Sequence, residues 1–264
     1  MLEPDGSTYV QSLARGLAVI RAFGAERPRL SLSDVARATD LTRASARRFL
    51  LTLESEGYVR ARDGLFELTP RVLELGFSYL SAQSLPEVAQ PHLETLSHTV
   101  GESSSASILD GTDIVYIARV PTRRIMSVGI TIGTRFPAYV TSMGRVLLAF
   151  ASADDRETYF EGFTPTAFTS RTMTSPDALR AELDRVREQG WSLVDGELEA
   201  GLRALAVPVM KGAEVVAAIN VSMPASDTDA TVQARALLPA MQDAAAVISR
   251  DLDLTQSQAP GDRR

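Results

Sequence analysis

The chain contains no cysteine, which excludes a disulfide framework, a thiol nucleophile and any cysteine-ligated zinc. It has two histidines. His92 and His98 miss the i, i+4 spacing that places a metal pair on one helix face. A Gly-x-Ser-x-Gly elbow and a phosphate-binding glycine-rich loop are also missing. Catalysis needs a nucleophile with its base or a metal cluster, so an enzyme and a cofactor are not expected. No uncharged run reaches the ~18 residues of a membrane span. The start, MLEPDGSTY, is acidic and polar rather than basic then apolar, unlike a signal peptide. A cytoplasmic protein without a membrane partner is expected.

What is present suits a protein with two hydrophobic cores. The chain has 264 residues, 45% hydrophobic and 23% charged, and exceeds the usual ~100–200 residues of one domain. The net charge of -6 is unevenly divided. Residues 1–71 carry eleven arginines, no lysine and nine acidic residues, a balance of +2, leaving -8 for the rest. Such asymmetry hints at nucleic-acid binding by the first part, and the placement of the arginines carries the case.

The spacing of Leu13, Leu17, Ile20 and Phe23 predicts a helix from Val10 to Phe23. A short helix follows with Ser33 as its expected N-cap. A tight break at Leu41–Thr42 precedes a third helix, capped by Thr42 and stopped by Gly57 in the left-handed conformation. There Ala46, Leu50 and Leu53 share one face, while Ala44 and Arg48 point away, flanked by Ser45 and Arg47. Small residues beside arginines near a helix N-terminus suit entry into a major groove. There arginine grips guanine O6/N7 and Ser or Thr reaches base edges or phosphates. Arg43, expected nearer the buried side, reaches a phosphate from the first turn. Tyr58–Arg62, Asp63-Gly64 and Leu65–Leu68 then read as a hairpin with Arg60 and Arg62 on one face. A basic hairpin after a helix-turn-helix is a wing. Thr42, Arg43, Ala44, Ser45, Arg47, Arg48, Arg60 and Arg62 are the candidate contacts to double-stranded operator DNA. The rival reading is a metabolite-binding module whose winged helix mediates protein–protein contacts.

The fold class expected is α+β. Residues 1–69 form the winged helix-turn-helix domain, and residues 70–84 a linker helix opened by Thr69-Pro70. Residues 85–252 form an effector and oligomerisation domain, and residues 253–264 a polar, disordered tail. The larger domain reads as an antiparallel sheet covered by helices. Its expected parts are a helix from Glu87 to Val100, a hairpin around Asp110-Gly111, and a strand near Ile125–Ile130. A helix from Thr141 to Ala151, another from Pro176 to Gly190, two strands around Lys211-Gly212 and a closing helix from Thr231 to Asp251 complete it.

Several segments in this order resemble the IclR-type transcriptional regulators: YVQSLARGLAVIRAF, the helix-turn-helix and wing, GTRFPAYVTSMGRVLLA, GWSLVDGELEAGLRALAVPV and AAINVSMP. The first run and TSMGRVLLA are most similar to the branch controlling protocatechuate and β-ketoadipate degradation. The resemblance implies a GAF-like effector domain, dimers that pair into tetramers, and an aromatic or dicarboxylic acid as inducer (protocatechuate, 4-hydroxybenzoate or β-ketoadipate). Its effector pocket falls on Val128, Phe136, Ser142, Met143, Val194, Leu202, Ala204, Asn220 and Ser222, with Ser142-Met143 in a loop before the helix at Gly144. Asn220 and Ser222 alternate onto one strand face. Val194 departs from the family's acidic residue, with Asp195 beside it. A carboxylate also wants a cation, for which Arg119, Arg123, Arg124 and Arg135 are candidates.

Overall fold

The computed structural model describes residues 9–24, 26–75, 85–122, 129–226 and 228–257. It divides into two compact units, 1–82 and 83–264.

In the first unit α1 (Gln11–Arg21), α2 (Leu32–Ala38) and α3 (Arg43–Ser55) pack with a three-stranded antiparallel sheet. The sheet is β1 (Arg29–Ser31), β3 (Leu65–Leu68) and β2 (Val59–Arg62), in that order. Val19, Phe23, Val35, Leu50 and Val59 form the core. The expected stripe on α1 packs only toward its C-terminal end, because Leu13 and Leu17 are 63% and 42% exposed. Ser31, not Ser33, caps α2. Its Oγ accepts from the Asp34 amide while the Asp34 carboxylate accepts from the Ser31 amide, a reciprocal capping box. That cap is set up by β1, which the sequence reading lacked. Asp63 and Gly64 both take positive φ (54° and 78°), the backbone a two-residue hairpin turn requires. Pro70–Val72 is a short 3-10 turn and helical structure continues to Leu75. The rest of the expected linker helix lies outside the described residues.

The second unit is built on a six-stranded antiparallel sheet. Its strands are β4 (Ser103–Asp110), β5 (Asp113–Val120), β6 (Arg135–Pro137), β7 (Ser192–Asp195), β8 (Leu202–Lys211) and β9 (Glu214–Pro224). They are ordered β6-β5-β4-β9-β8-β7. On one face Ala106, Ile117, Leu205 and Ile219 pack against α4 (Leu85–Val100) and α8 (Ala230–Ser257). On the other face Tyr116, Ala206 and Ala218 pack against α5 (Ser142–Phe150) and α7 (Pro176–Gln189). A helix absent from the sequence reading, α6 (Ala153–Glu161), contributes Tyr159 to that layer.

Three local expectations shift. The strand expected near Ile125–Ile130 falls largely outside the described residues, Gly129 and Ile130 carry no strand, and the edge strand is β6. Ser142 and Met143 lie in the first turn of α5, within the helix expected from Thr141 to Ala151 and not in a loop before Gly144, because Thr141 Oγ1 accepts the Gly144 amide as its cap. The closing helix continues to Ser257.

Two backbone features shape the second face. Gly144 has no room for a side chain, since a Cβ there would collide with the Ala138 backbone, so α5 starts hard against the short 3-10 turn Ala138–Val140. The β4–β5 register slips between Ala106 and Ser107, so Ser107 faces Tyr116 while Ala106 faces Ala118. This bulge sends Ile117 and Ala118 to the α4/α8 side and returns Arg119 to the α5 face, opposite Ser105.

Candidate effector pocket and nucleic-acid interface

α3 presents its polar side as the spacing requires. Ala46 and Leu50 are fully buried, and Thr42, Ala44, Arg47 and Arg48 are exposed. Arg43 is exposed too. Thr42 Oγ1 accepts the Ser45 amide at 3.2 Å and donates to Ser45 Oγ at 3.0 Å, so the Ser45 hydroxyl helps fix the helix start. Arg48 borders a surface groove of about 750 Å³ between α1 and α3, with Leu17, Phe49 and Thr52.

The two wing arginines differ. Arg60 Nε donates to Glu67 at 2.5 Å, and Arg29 Nε donates to the same carboxylate at 2.8 Å. These bonds hold the Glu67 pKa below the ordinary carboxylate value, Arg60 contributing most. Arg62 is 72% exposed and lies 3.9 Å from Asp63. Arg62 is therefore the wing cation freer to meet a phosphate, and a bound phosphate must compete with Glu67 for Arg60.

In the second unit a small cavity lies between the sheet and the start of α5. Tyr116, Val140, Thr141, Ser142, Val194, Leu198, Leu202, Ala204, Asn220 and Ser222 line it. Six of these are positions that the family resemblance implied: Ser142, Val194, Leu202, Ala204, Asn220 and Ser222. Met143 lies beneath, fully buried, its Sδ accepting from Ser107 Oγ at 3.3 Å. Phe136 stands behind Tyr116 in an edge-to-face contact with centroids 6.1 Å apart. Val128 lies outside the described residues. Sequence reasoning missed Tyr116, Val140, Thr141 and Leu198. Alternation along β5 puts Tyr116 on one of two possible faces, and its pairing with Ser107 decides which.

Two polar atoms of this cavity are unsatisfied. Ser142 Oγ and Asn220 Oδ1 are buried without a hydrogen-bond partner, as is Ser192 Oγ nearby. Asn220 Nδ2 donates to Ser222 Oγ at 3.2 Å. A buried polar atom without a partner costs ~1–3 kcal/mol, so unpaired groups around one space suit a bound water or ligand that supplies the missing bonds. Tyr116 is 4% exposed, and burial pushes its hydroxyl up to about 12, which keeps it neutral and able to donate. Asp195 does not add charge to the cavity: Arg171 and Arg203 hold it at 2.8 and 3.0 Å.

The cavity wall is held by a buried ion pair. Arg145 Nη2 donates to Glu197 at 2.6 Å and its Nε donates to the Tyr139 carbonyl at 2.8 Å. The same carboxylate oxygen accepts the Met173 amide at 2.8 Å. The side chains are 2% and 10% exposed. Glu197 belongs to the irregular segment Gly196–Gly201, whose Leu198 closes the cavity.

Comparison with known proteins places this architecture. The family model for the "IclR helix-turn-helix domain" matches residues 12–63, and that for "Bacterial transcriptional regulator IclR C-terminal" matches residues 77–250. The chain belongs to the IclR family. It is a DNA-binding transcriptional regulator, not an enzyme. It is 43% identical over 222 residues to the Pca regulon regulatory protein of Pseudomonas putida, covering 83% of this chain and 75% of that one. Among solved structures, a putative transcriptional regulator from Rhodococcus sp. RHA1 is 58% identical, with TM-score 0.83 over 94% of this chain and 100% of that one. An IclR homologue from Microbacterium hydrocarbonoxydans, complexed with 4-hydroxybenzoate, is 27% identical. Its TM-score is 0.83 over 92% of this chain and 100% of the other. Among the described residues no helix is long and apolar enough to cross a membrane.

Proposed function

We propose that this IclR-family chain governs aromatic-acid catabolism by releasing or reshaping its hold on an operator when a small acid enters the α5–sheet cavity. The effector is of the protocatechuate, 4-hydroxybenzoate or β-ketoadipate class. The unpaired Ser142 Oγ and Asn220 Oδ1 carry this reading. They converge, with the first turn of α5, on an otherwise mostly apolar wall. A mostly apolar pocket with a few polar groups is the common form of a small-molecule site. The homologue bound to 4-hydroxybenzoate supports the ligand class.

The space enclosed is about 20 Å³, which admits roughly one water molecule. A substituted aromatic ring enters only when Leu198 or Tyr116 moves outward, so the effector favours an expanded wall over the closed one. A ligand shifts a conformational equilibrium only by its difference in affinity for the two states, and this steric difference supplies one. Thr42, Arg43, Ala44, Ser45, Arg47 and Arg48 on α3, with Arg60 and Arg62 on the wing, contact the operator. The protein acts as a homodimer or tetramer, because helix-turn-helix proteins gain affinity by spanning paired half-sites. The exposed Leu13 and Leu17 offer apolar surface for self-association.

Calorimetry of the full chain against protocatechuate, 4-hydroxybenzoate and β-ketoadipate tests the site. Ser222→Leu fills the cavity and should abolish binding while leaving basal operator affinity within about twofold. Undiminished binding to this variant would place the effector elsewhere.

A further inference from the structure

An acid taken into an apolar cavity needs a counter-charge, and the four arginines considered from the sequence separate once their surroundings are known. Arg135 is committed, donating to Asp110 at 2.5 Å and Asp113 at 3.2 Å. Arg123 and Arg124 lie outside the described residues. Arg119 is partly buried on β5, and among the described residues no carboxylate lies within ion-pair distance of it. It donates from Nη1 to Ser105 Oγ at 3.1 Å.

The sheet register shows where this guanidinium stands. Ser105 pairs with Arg119 on one side and with Asn220 on the other, and Asn220 pairs with Ala206. Directly paired residues of an antiparallel sheet project from the same face. That face is the α5 face, since Ser107 two residues along bonds Met143 of α5, whereas Ser104 bonds the Leu93 carbonyl of α4. The β5 bulge aligns Arg119 with Tyr116, a lining residue of the cavity. Without it, strict alternation would put Arg119 and Tyr116 on opposite faces.

Resting on the effector reading above, we propose that Arg119 is the cation of the effector pocket, held by Ser105 to pair with a carboxylate of the bound acid. Burial lowers the Arg119 pKa from the ordinary arginine value, with only the neighbouring Tyr116 opposing. An anion beside it removes that penalty by pairing the charge. The amide of Asn220 meets the other polar part of the ligand. It bonds Ser222 through one end, so one end stays unpaired whichever way the amide is turned. A hydroxyl, which both donates and accepts, satisfies either orientation. The preferred ligand is therefore an acid that also carries a hydroxyl. An exposed arginine that merely solubilises a strand end would have no influence on acid binding.

The test uses the full-length protein and Arg119→Gln, Arg119→Lys and Ser222→Leu. The ligands are protocatechuate, 4-hydroxybenzoate, β-ketoadipate and the neutral 4-hydroxybenzamide, followed by calorimetry. A hydrogen bond to a charged group predicts a ten- to hundredfold loss of affinity for the hydroxy acids in Arg119→Gln. Affinity for the amide should change less than threefold, and Arg119→Lys should recover part of the loss. Unliganded melting temperature and operator binding of Arg119→Gln should match wild type, which separates lost pairing from misfolding. Acids bound equally by Arg119→Gln and wild type would overturn the proposal. That result would leave the pocket standing if Ser222→Leu still blocks them, pointing to the first-turn amides of α5 as the carboxylate's donors. Acids bound undiminished by Ser222→Leu, or by no form of the protein, would overturn the effector reading and this proposal with it.

Discussion

Removing the Glu197 carboxylate should be among the most damaging single changes in the effector domain. Arg145 is 1% exposed, and among the described residues its guanidinium has one carboxylate partner, Glu197, at 2.6 Å. Glu197→Ala leaves that charge buried and uncompensated, and strips the Met173 amide of its acceptor as well. Breaking one side of a buried pair typically costs ~3–5 kcal/mol. For a domain of this size each kcal/mol moves the melting temperature by roughly 2–4 °C, so the effector-domain transition should fall by roughly 6–20 °C. Replacing both partners, as in Arg145→Met with Glu197→Leu, removes the uncompensated charge and should recover most of the loss. Differential scanning calorimetry of wild type, both single variants and the double variant closes the cycle. A drop under about 2 °C for Glu197→Ala, or a double variant no better than the singles, would refute the view that this pair locks the cavity wall.

Other expectations are open to direct measurement. Arg48→Ala should weaken cognate operator binding by ~1–3 kcal/mol if the side chain holds a guanine. Equal losses on scrambled DNA would remove it from base reading. Arg62→Ala should weaken all sequences alike and lower the slope of affinity against salt by about one charge, as a lost phosphate contact does. Because Glu67 already engages Arg60, Arg60→Ala should change that slope less, and an equal change would show that DNA displaces Glu67. Tyr116 ionises near 10 when unfolded but at about 12 in the fold. Its contribution to stability is therefore complete below pH 10 and lost as the pH rises from 10 to about 12, with a slope of up to ~1.4 kcal/mol per pH unit. Tyr116→Phe should flatten alkaline denaturation over that window, and an unchanged profile would mean the hydroxyl is not held neutral by the fold.

The winged helix was legible in the sequence because its signals are local. Thr42 caps α3, Gly57 stops the backbone that follows it, and Asp63-Gly64 supplies two positive-φ residues where the hairpin turns. The side chains that follow from a 3.6-residue period, Ala46 and Leu50 inward and Arg48 outward, needed nothing from the rest of the chain. The cap of α2 was misplaced by two residues because Ser31 is positioned by β1, a strand that exists only through its pairing with β3. The stripe on α1 promised burial that Leu13 does not receive, since a period says which side chains share a face but not whether anything covers them. Much of the cavity wall was reached by family resemblance and strand alternation. Its closure was not, because Glu197 meets Arg145 across 52 residues of chain. The partnership of Arg119 with Tyr116 lay further out of reach. A bulge created by pairing β5 with β4 reverses the side on which the residues beyond it project. No pattern read along β5 alone contains that reversal, so tertiary pairing decided that Arg119 shares the sheet face of Tyr116.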